Sequence, residues 1–204
     1  DLSGCSAIIT GGGTGIGRGI AIALAKHGVK VVICGRRDIP LDSVVQEILV
    51  GGGQALGVQA DISQDKDVAR VVSSTLDVFG HVDILVNNAG ISGGNAIHEH
   101  SIEEWDQIMA VNLRGPFLLC RAVLPIMRSK RNGHIINISS ESGMEYYPQD
   151  GAYGVSKHAL NALGEYIQKE NQEFGIHVDT ICPGMVVTEM TEHASGLDNT
   201  KCLY

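Results

Sequence analysis

Two residues one helical turn apart have the types needed for acid–base chemistry. Tyr153 and Lys157 stand four positions apart in a segment of helical periodicity, which places both side chains on one face of a helix. A tyrosine with its ordinary pKa of about 10 is a weak acid near neutrality, and an adjacent lysine cation would favour the phenolate and lower that pKa. The pair predicts proton transfer at a substrate oxygen, whereas an isolated pair at this spacing is more often a plain surface contact.

A glycine-rich segment has the composition of a phosphate-binding loop. Residues 10–17 read Thr-Gly-Gly-Gly-Thr-Gly-Ile-Gly and lead from a short apolar run into a helical one. Glycines let the backbone approach a pyrophosphate closely, and a helix start presents free N–H groups and the positive end of the helix dipole. The alternative is a glycine-rich turn that binds nothing. The candidate dinucleotide-binding residues here are Gly11, Gly13, Thr14, Gly15, Ile16 and Gly17.

The end of the second apolar run bears on the kind of dinucleotide. A carboxylate about 20 residues after the glycine motif would bind a ribose 2′-OH, and an arginine there would bind a 2′-phosphate. Residues 31–37 read Val-Val-Ile-Cys-Gly-Arg-Arg, so no carboxylate stands at the end of the run and Arg36 can pair with a phosphate. Asp38 lies slightly too late for the acidic position. The pattern predicts NADP(H) in preference to NAD(H), unless Arg36 and Arg37 are ordinary solvated charges.

The elements that would position these residues alternate between strands and helices. Short apolar, β-branched runs predict buried strands at residues 6–10, 30–34, 55–59, 84–87, 134–139 and 177–182. Helical length and periodicity are found in the segments between them, such as residues 16–27, 65–79 and 153–174. This alternation implies an α/β fold with a doubly wound parallel sheet, the Rossmann fold, covered by helices on both faces. We expect a single domain over residues 1–204.

Local signals mark several helix ends. Ser101 with Glu104 forms a capping box, in which the hydroxyl and the carboxylate each satisfy an N–H group at a helix start. Gly28, Gly80 and Gly175 are expected to end helices.

Composition excludes several classes of protein. The 204 residues are 44% hydrophobic and 19% charged, as in a globular protein, and the net charge of −8 argues against nucleic-acid binding. No apolar run approaches the roughly 18 residues of a membrane span, and five scattered cysteines without a Cys-x-x-Cys pair fit a reducing cytoplasm. His98 and His100 resemble a metal pair but have no third ligand in view, so we expect solvated histidines and no metal.

Three further segments carry a family resemblance. They are residues 87–90 (Asn-Asn-Ala-Gly), residues 153–157 (Tyr-Gly-Val-Ser-Lys) and Pro183-Gly184 with Thr188. With the Gly-x-x-x-Gly-x-Gly pattern from Gly11 to Gly17, they resemble the classical short-chain dehydrogenase/reductase family, particularly its 3-oxoacyl-[acyl-carrier-protein] reductase-like branch. The resemblance covers essentially the whole chain.

The resemblance implies catalytic roles. It makes Tyr153 the acid/base, with Lys157 beside it and also hydrogen-bonded to the nicotinamide ribose. Ser140 precedes Tyr153 by 13 positions and matches the substrate-orienting serine in preference to Ser139; its hydroxyl would bind the developing oxyanion. Asn112 matches the asparagine that helps to hold a water on the proton path behind the lysine. The alternative for Asn112 is a polar residue that kinks a helix.

The resemblance also implies contacts with the rest of the cofactor. Asp61 and Ile62 would line the adenine, and Asn88 and Ala89 the ribose. The residues expected along the nicotinamide and its phosphate are Pro183, Gly184, Val186 and Thr188.

Taken together, these features predict an NADP-dependent oxidoreductase that transfers a hydride between NADP(H) and a ketone, a 3-oxoacyl group or a secondary alcohol. The resemblance further implies a homodimer or homotetramer. The family pattern continues with another helix and a seventh strand, which are missing from these 204 residues. One alternative is a non-catalytic NADP-binding sensor or scaffold, which would have no evident need for Ser140, Tyr153 and Lys157. Another is an isomerase or epimerase, which would need a larger substrate domain.

Overall fold

The strands form where β-branched and other apolar residues run together. In the computed structural model, which describes residues 2–191, they are β1 Ser6–Thr10, β2 Lys30–Gly35, β3 Gln54–Gln59, β4 Ile84–Asn87, β5 Gly133–Ile138 and β6 Ile176–Ile181. Each strand end lies within one residue of its predicted position. The apolar runs therefore located all the strands of the described part of the chain.

The strand order reverses in the middle of the sheet. All neighbouring strands are parallel, in the order β3-β2-β1-β4-β5-β6. The chain first builds outward from β1 and then returns to add β4 on its other side. This arrangement confirms the predicted doubly wound parallel sheet, and it opens a crevice beyond the carboxyl ends of β1 and β4.

Within residues 2–191, six α-helices connect and cover the strands. They are α1 Gly15–Lys26, α2 Asp38–Val50, α3 Asp65–Phe79, α4 Ile102–Met109, α5 Gly115–Lys130 and α6 Gly151–Asn171. The predicted segment 65–79 matches α3, and α6 begins two residues earlier than predicted. After α6 a 3₁₀ turn, Gln172–Phe174, leads into β6.

Glycines end helices where the backbone becomes left-handed. Gly28 has a φ of 79°, Gly80 of 81° and Gly175 of 68°, a region that favours glycine because it has no Cβ. The three predicted helix stops are confirmed.

The capping box is only half formed. The Ser101 hydroxyl accepts the Glu104 N–H at 3.1 Å, as predicted. The Glu104 carboxylate instead accepts hydrogen bonds from Asn95 at 3.2 Å and from His100 at 3.1 Å. The prediction that the Glu104 carboxylate accepts an N–H group at the helix start was wrong, because folding brings two better-placed donors to this carboxylate.

The sheet separates two apolar layers. Ile9, Ile33 and Val86 are fully buried on the face that α1 and α2 cover. Ile8 and Leu85 are fully buried on the opposite face, which α3, α5 and α6 cover. Because side chains of a strand alternate between faces, a strand buried on both faces must be apolar throughout.

One helical stretch is strongly apolar. Within residues 2–191, Ile102–Lys130 is long and apolar enough, by length and composition alone, to cross a membrane, and an 18-residue segment of it has a mean hydropathy of 1.3. Leu119, Val123 and Met127 in this stretch are fully buried against the sheet. Packing in the core accounts for part of its apolar character, since 44% of that segment is buried.

Candidate active site

A cleft of about 280 Å³ lies beyond the carboxyl ends of β1 and β4. Open α/β sheets bind their ligands at this reversal of strand order. The glycine segment, the ends of β2 and β3, the segment after β4 and the start of α6 all contribute to its walls. The sequence-predicted residues that line it are Gly11, Gly13, Thr14, Gly15, Ile16, Arg36, Asp61, Ile62, Asn88, Ala89, Tyr153, Lys157 and Thr188.

The glycine segment is folded so tightly that side chains would not fit. A Cβ on Gly17 would lie 2.3 Å from the Gly11 carbonyl oxygen, and one on Gly13 would lie 3.0 Å from Pro40 Cβ. Gly11 and Gly15 have φ values of 63° and 52°. Gly17 does not line the cleft but supports the loop that does. The backbone thus forms the kind of cradle that a pyrophosphate requires at a helix start.

Thr10 fastens the glycine segment to the segment after β4. Its hydroxyl accepts the N–H groups of Asn88 and Ala89, both at 2.9 Å. The Asn88 amide in turn donates to the Thr10 carbonyl at 2.8 Å. Sequence reasoning missed Thr10; its one signal was a hydroxyl at the end of an otherwise apolar strand.

The end of β2 brings two arginines to the cleft. The Arg36 carbonyl accepts a hydrogen bond from Gln59 at 3.0 Å, and Arg36 lines the cleft. Arg37 pairs with Glu189 at 2.7 Å, with both side chains more than half exposed. Asp38 is the first residue of α2, where a carboxylate complements the helix dipole.

The segment after β3 is stiffened by an aspartate. The Asp61 carboxylate accepts the Ser63 N–H at 3.0 Å and the Ser63 hydroxyl at 2.8 Å. The Asp61 backbone N–H donates to the Asp67 carboxylate at 2.9 Å. This bond and the Arg70 side chain hold the pKa of Asp67 below its usual range. Ile62 follows at the cleft wall. The turn fixes Asp61 and Ile62 at the edge of the cleft.

Lys157 is buried beside the end of β5. Its side chain donates from Nζ to the Ile138 carbonyl oxygen at 2.9 Å, and the residue is only 4% exposed. Burial disfavours the charged amine and lowers the pKa of Lys157 to about 8. A buried amine with such a pKa can change its protonation state near physiological pH.

Tyr153 and Ser140 face each other. Burial raises the pKa of the Tyr153 phenol above its usual range, a hydrogen bond with Ser140 opposes that shift, and the charges of Asp150 and Glu141 add to it. The expectation that Lys157 lowers this pKa was wrong. The Lys157 amine lies 5.6 Å from the centre of the Tyr153 ring and is directed to a backbone carbonyl, so burial dominates.

The two serines that directly follow β5 have different surroundings. The Ser140 hydroxyl accepts the Ser142 N–H at 3.2 Å and lies beside Tyr153. The Ser139 hydroxyl is buried and donates to the Lys157 carbonyl at 3.3 Å. Of the two, Ser139 lines the cleft, whereas Ser140 does not line it but has its hydroxyl at the phenol.

Asn112 lies in a wide helical turn between α4 and α5. Residues Ala110–Arg114 form a π-helical turn, a feature often found at functional sites. The buried Asn112 side chain accepts the Ile91 N–H at 2.9 Å, and donates to the Ile91 carbonyl at 2.9 Å and to the Ser156 hydroxyl at 3.0 Å. It thus ties the segment after β4 to the helix that carries Tyr153. Asn112 does not line the cleft.

The segment after β6 is only partly brought into the cleft. Thr188 lines it, close to the point where a Cβ on Gly15 would lie. Pro183, Gly184 and Val186 do not line it. The Pro183 carbonyl accepts the Glu141 N–H at 2.9 Å, and the Val186 carbonyl accepts the Thr191 hydroxyl at 2.8 Å.

The two histidines of the segment before α4 differ in exposure. The His98 side chain is 83% exposed, as expected. The His100 side chain is only 3% exposed, so the expectation that it is solvated was wrong. Its ring is enclosed because it contacts Glu104 and the start of α6. Over residues 2–191, no group of three or more His, Cys, Asp or Glu side chains is arranged to hold a metal ion.

Comparisons with known proteins agree with this geometry. The family model described as short chain dehydrogenase matches residues 6–197. The chain is 37% identical to the 3-oxoacyl-[acyl-carrier-protein] reductase of Synechocystis sp. over 188 residues, covering 92% of this chain and 76% of that protein.

Two solved structures share the fold and differ in their dinucleotide. A short-chain dehydrogenase/reductase from Burkholderia phymatum in complex with NAD superposes with a TM-score of 0.91 at 31% identity, covering 95% of this chain and 70% of that one. A metagenomic short-chain oxidoreductase in complex with NADP superposes with a TM-score of 0.86 at 39% identity, covering 91% of this chain and 84% of that one. The chain therefore belongs to the short-chain dehydrogenase/reductase family, as a 3-oxoacyl-[acyl-carrier-protein] reductase-like oxidoreductase acting on carbonyl or alcohol groups.

Proposed function

We propose that the protein transfers a hydride between NADP(H) and a ketone, a 3-oxoacyl group or a secondary alcohol, with Tyr153 as the acid/base. One observation carries this function. The tight glycine segment and the Tyr153–Lys157 pair line the same cleft, so a dinucleotide on the first would end near the second.

The residues present fit a dinucleotide. Gly11, Gly13, Gly15 and Gly17 leave no room for side chains within the loop that would bind the pyrophosphate, and the start of α1 offers its N–H groups. Asp61 and Ile62 would line the adenine, and Asn88 and Ala89 the ribose. Thr188 would contact the nicotinamide end, with Pro183, Gly184 and Val186 on the same segment. When bound, the nicotinamide supplies or accepts the hydride.

Proton transfer falls to residues of this chain. In carbonyl reduction, Tyr153 gives its phenolic proton to the substrate oxygen, while the Ser140 hydroxyl donates a hydrogen bond to the same oxygen. Lys157, which lines the same cleft, would hydrogen-bond the nicotinamide ribose and so hold the cofactor beside the phenol. In alcohol oxidation the phenolate takes the proton back. Burial raises the pKa of Tyr153, so the phenol is protonated at neutral pH and carries the proton that reduction requires.

Asn112 would support the proton path from behind. It holds Ile91 and Ser156, which flank the cleft and Lys157 respectively. A Cβ on Gly90 would lie 3.4 Å from the Asn112 oxygen and 3.5 Å from Lys157 Nζ. Asn112 and Lys157 thus both lie close to Gly90, and the water of the proposed proton path would lie between these two side chains.

The preference for NADP(H) rests on Arg36. No carboxylate stands at the end of β2 to bind a ribose 2′-OH, and Arg37 is already paired with Glu189. Arg36 is therefore the residue that would bind a 2′-phosphate.

Two features support the proposed assembly and the proposed cytoplasmic location. Met109 and the half-exposed Phe117 line an apolar recess beside α4 and α5, which suits a contact in a homodimer or homotetramer. Cys34 and Cys120 are free and buried, as is usual in the reducing cytoplasm.

The test is cofactor oxidation followed at the nicotinamide absorbance. The full chain is supplied with NADPH or NADH and a panel of ketones and 3-oxoacyl thioesters, and with NADP⁺ and secondary alcohols for the reverse direction. We expect turnover of at least one carbonyl class, faster with NADPH than with NADH at low cofactor concentration. Tight NADPH binding without turnover of any compound would instead favour a sensor or scaffold.

A further inference from the structure

A buried histidine contacts the start of the helix that carries Tyr153. His100 Nδ1 lies 3.1 Å from a Glu104 carboxylate oxygen. On the other side of the ring, Nε2 accepts the Ala152 N–H at 3.4 Å. Ala152 is fully buried and directly precedes Tyr153. The imidazole therefore spans from α4 to the first turn of α6.

The first turn of α6 needs such a partner. The first N–H groups of a helix have no acceptor within the helix. Asp150, the N-cap residue of α6, makes no side-chain capping bond. His100 supplies an acceptor from a different element, so the start of α6 is held by tertiary contact rather than by a local cap.

Glu104 determines which ring nitrogen can accept. By accepting from Nδ1, its carboxylate fixes the proton there and leaves Nε2 free for the Ala152 N–H. The Asn95 amide donates to the same carboxylate at 3.2 Å, and Asn95 also forms a backbone bridge with Asp150. Asn95, His100 and Glu104 thus connect the segment after β4 to the start of α6 at two points.

The contact leaves no spare room. A Cβ on Gly151 would lie 3.1 Å from His100 Nε2 and 2.9 Å from Ile97 Cδ1. Glycine at this position lets the ring approach the helix backbone closely. Movement of the ring would therefore move the turn that presents Tyr153.

We propose that His100, oriented by Glu104, is a positioning residue for Tyr153, an inference that rests on the proposed function. His100 does not line the cleft, so it acts on the reaction through the placement of the phenol. Its loss should lower kcat much more than cofactor affinity, because the glycine segment and Arg36, which would bind most of the cofactor, lie elsewhere.

Three variants separate this role from general structural support. His100→Phe keeps a ring but removes both hydrogen bonds, whereas His100→Gln retains an oxygen that can accept the Ala152 N–H. His98→Phe makes the same exchange at the exposed histidine. We expect His100→Phe to lower kcat by about tenfold to a hundredfold, the cost of a small misplacement of a reacting group. His100→Gln should recover most of the loss, and His98→Phe should match the wild type. The dissociation constant of the cofactor should change by much less than kcat in His100→Phe and should stay the same in the other two variants.

Hydrogen exchange tests the anchor without any reaction. Amides of residues 150–157 should exchange faster in His100→Phe than in the wild type, and at the wild-type rate in His100→Gln. A wild-type protein without turnover would count against the proposed function, while these rates would still decide whether His100 holds the helix. Unchanged exchange in His100→Phe would overturn the inference, as would a kcat equal to that of wild type or an equal loss in His98→Phe.

Discussion

Lys157 donates from Nζ to the carbonyl oxygen of Ile138 at 2.9 Å. This bond joins α6 to the end of β5, and it holds the amine 5.6 Å from the centre of the Tyr153 ring. The amine is thereby kept in a buried place where its charge is costly. The position of Lys157 links the protonation of the site to the stability of the fold.

The pH dependence of stability should report the buried lysine. Burial lowers the pKa of Lys157 from 10.5 to about 8. Between these values the unfolded chain binds more protons than the folded one, so the free energy of unfolding rises with pH. From about pH 7.5 to about pH 9.5 the cost of burying the charge should fall by about 2 kcal/mol. Urea unfolding at both pH values, for wild type and Lys157→Met, measures this difference.

The exposed Lys169 on the same helix provides the control. Lys169→Met should retain the wild-type dependence on pH, whereas Lys157→Met should lose the part due to the buried amine. If wild type and Lys157→Met gain stability equally across this range, Lys157 is not the buried cation described.

The glycine segment should be sensitive to a single methyl group. In Gly17→Ala the new Cβ would lie 2.3 Å from the Gly11 carbonyl oxygen, so the loop must shift away from the helix start. We expect cofactor affinity to fall more than tenfold and stability to fall by about 1–3 kcal/mol, the usual cost of overpacking. Calorimetric titration with NADPH and thermal unfolding measure the two effects.

Gly19 is the matched control, since a Cβ there meets nothing within 4 Å. Gly19→Ala should bind NADPH as the wild type does and gain about 0.5–1 kcal/mol of stability, because alanine is the better helix former. Equal binding by Gly17→Ala and Gly19→Ala would remove the glycine segment from the cofactor site.

Removal of one arginine should change the choice between dinucleotides. Arg36→Ala should weaken NADPH binding by about 1.5–3 kcal/mol, the worth of a hydrogen bond to a charged group, and leave NADH binding as it was. Arg37→Ala should have the smaller effect, because Arg37 pairs with Glu189. Titration of each variant with both cofactors tests this prediction. An equal loss of NADH affinity in Arg36→Ala would show that Arg36 does not bind the 2′-phosphate.

An ionic contact at the amino end of β4, on the side of the sheet away from the cleft, should make the stability depend on pH in the acid range. Burial alone would raise the pKa of Asp83, but Lys130, the Ser6 N–H and His81 hold it below its usual range. A lowered folded-state pKa stabilises the fold above the unfolded-state pKa, and that contribution is lost as pH falls.

Asp83→Asn should therefore cost about 1–3 kcal/mol at neutral pH and less in acid, without changing cofactor affinity. Urea unfolding at neutral and acidic pH measures it, with the exposed Asp77→Asn as control. A loss that stays the same at both pH values would contradict an ionic role for Asp83.

Local patterns predicted the strands, and together with the family resemblance they predicted half of the residues that line the cleft. Strand positions follow from apolar runs, and Gly28, Gly80 and Gly175 end helices because their backbone is left-handed. These properties depend on neighbouring residues in the chain. The strands are parallel, so the loops at their carboxyl ends lie on the same side of the sheet. This brings Gly11, Arg36 and Tyr153 together.

Properties that arise from distant contacts were not predictable in this way. Thr10 meets Asn88 across 78 positions of sequence, and His100 is buried only because α6 lies against it. The raised Tyr153 pKa likewise depends on burial in the folded chain. No spacing of residues in the sequence encodes these distances.

The most direct test compares Tyr153→Phe with the wild type in the reduction assay. Tyr166→Phe, at an exposed position of the same helix, serves as control. With a carbonyl substrate that the wild type turns over, Tyr153→Phe should lose about 10²–10⁴-fold in kcat, as expected when a general acid is removed. It should still bind NADPH with the wild-type dissociation constant, and Tyr166→Phe should behave as the wild type. A Tyr153→Phe protein that reduces the substrate at the wild-type rate would contradict the central claim that Tyr153 transfers the proton.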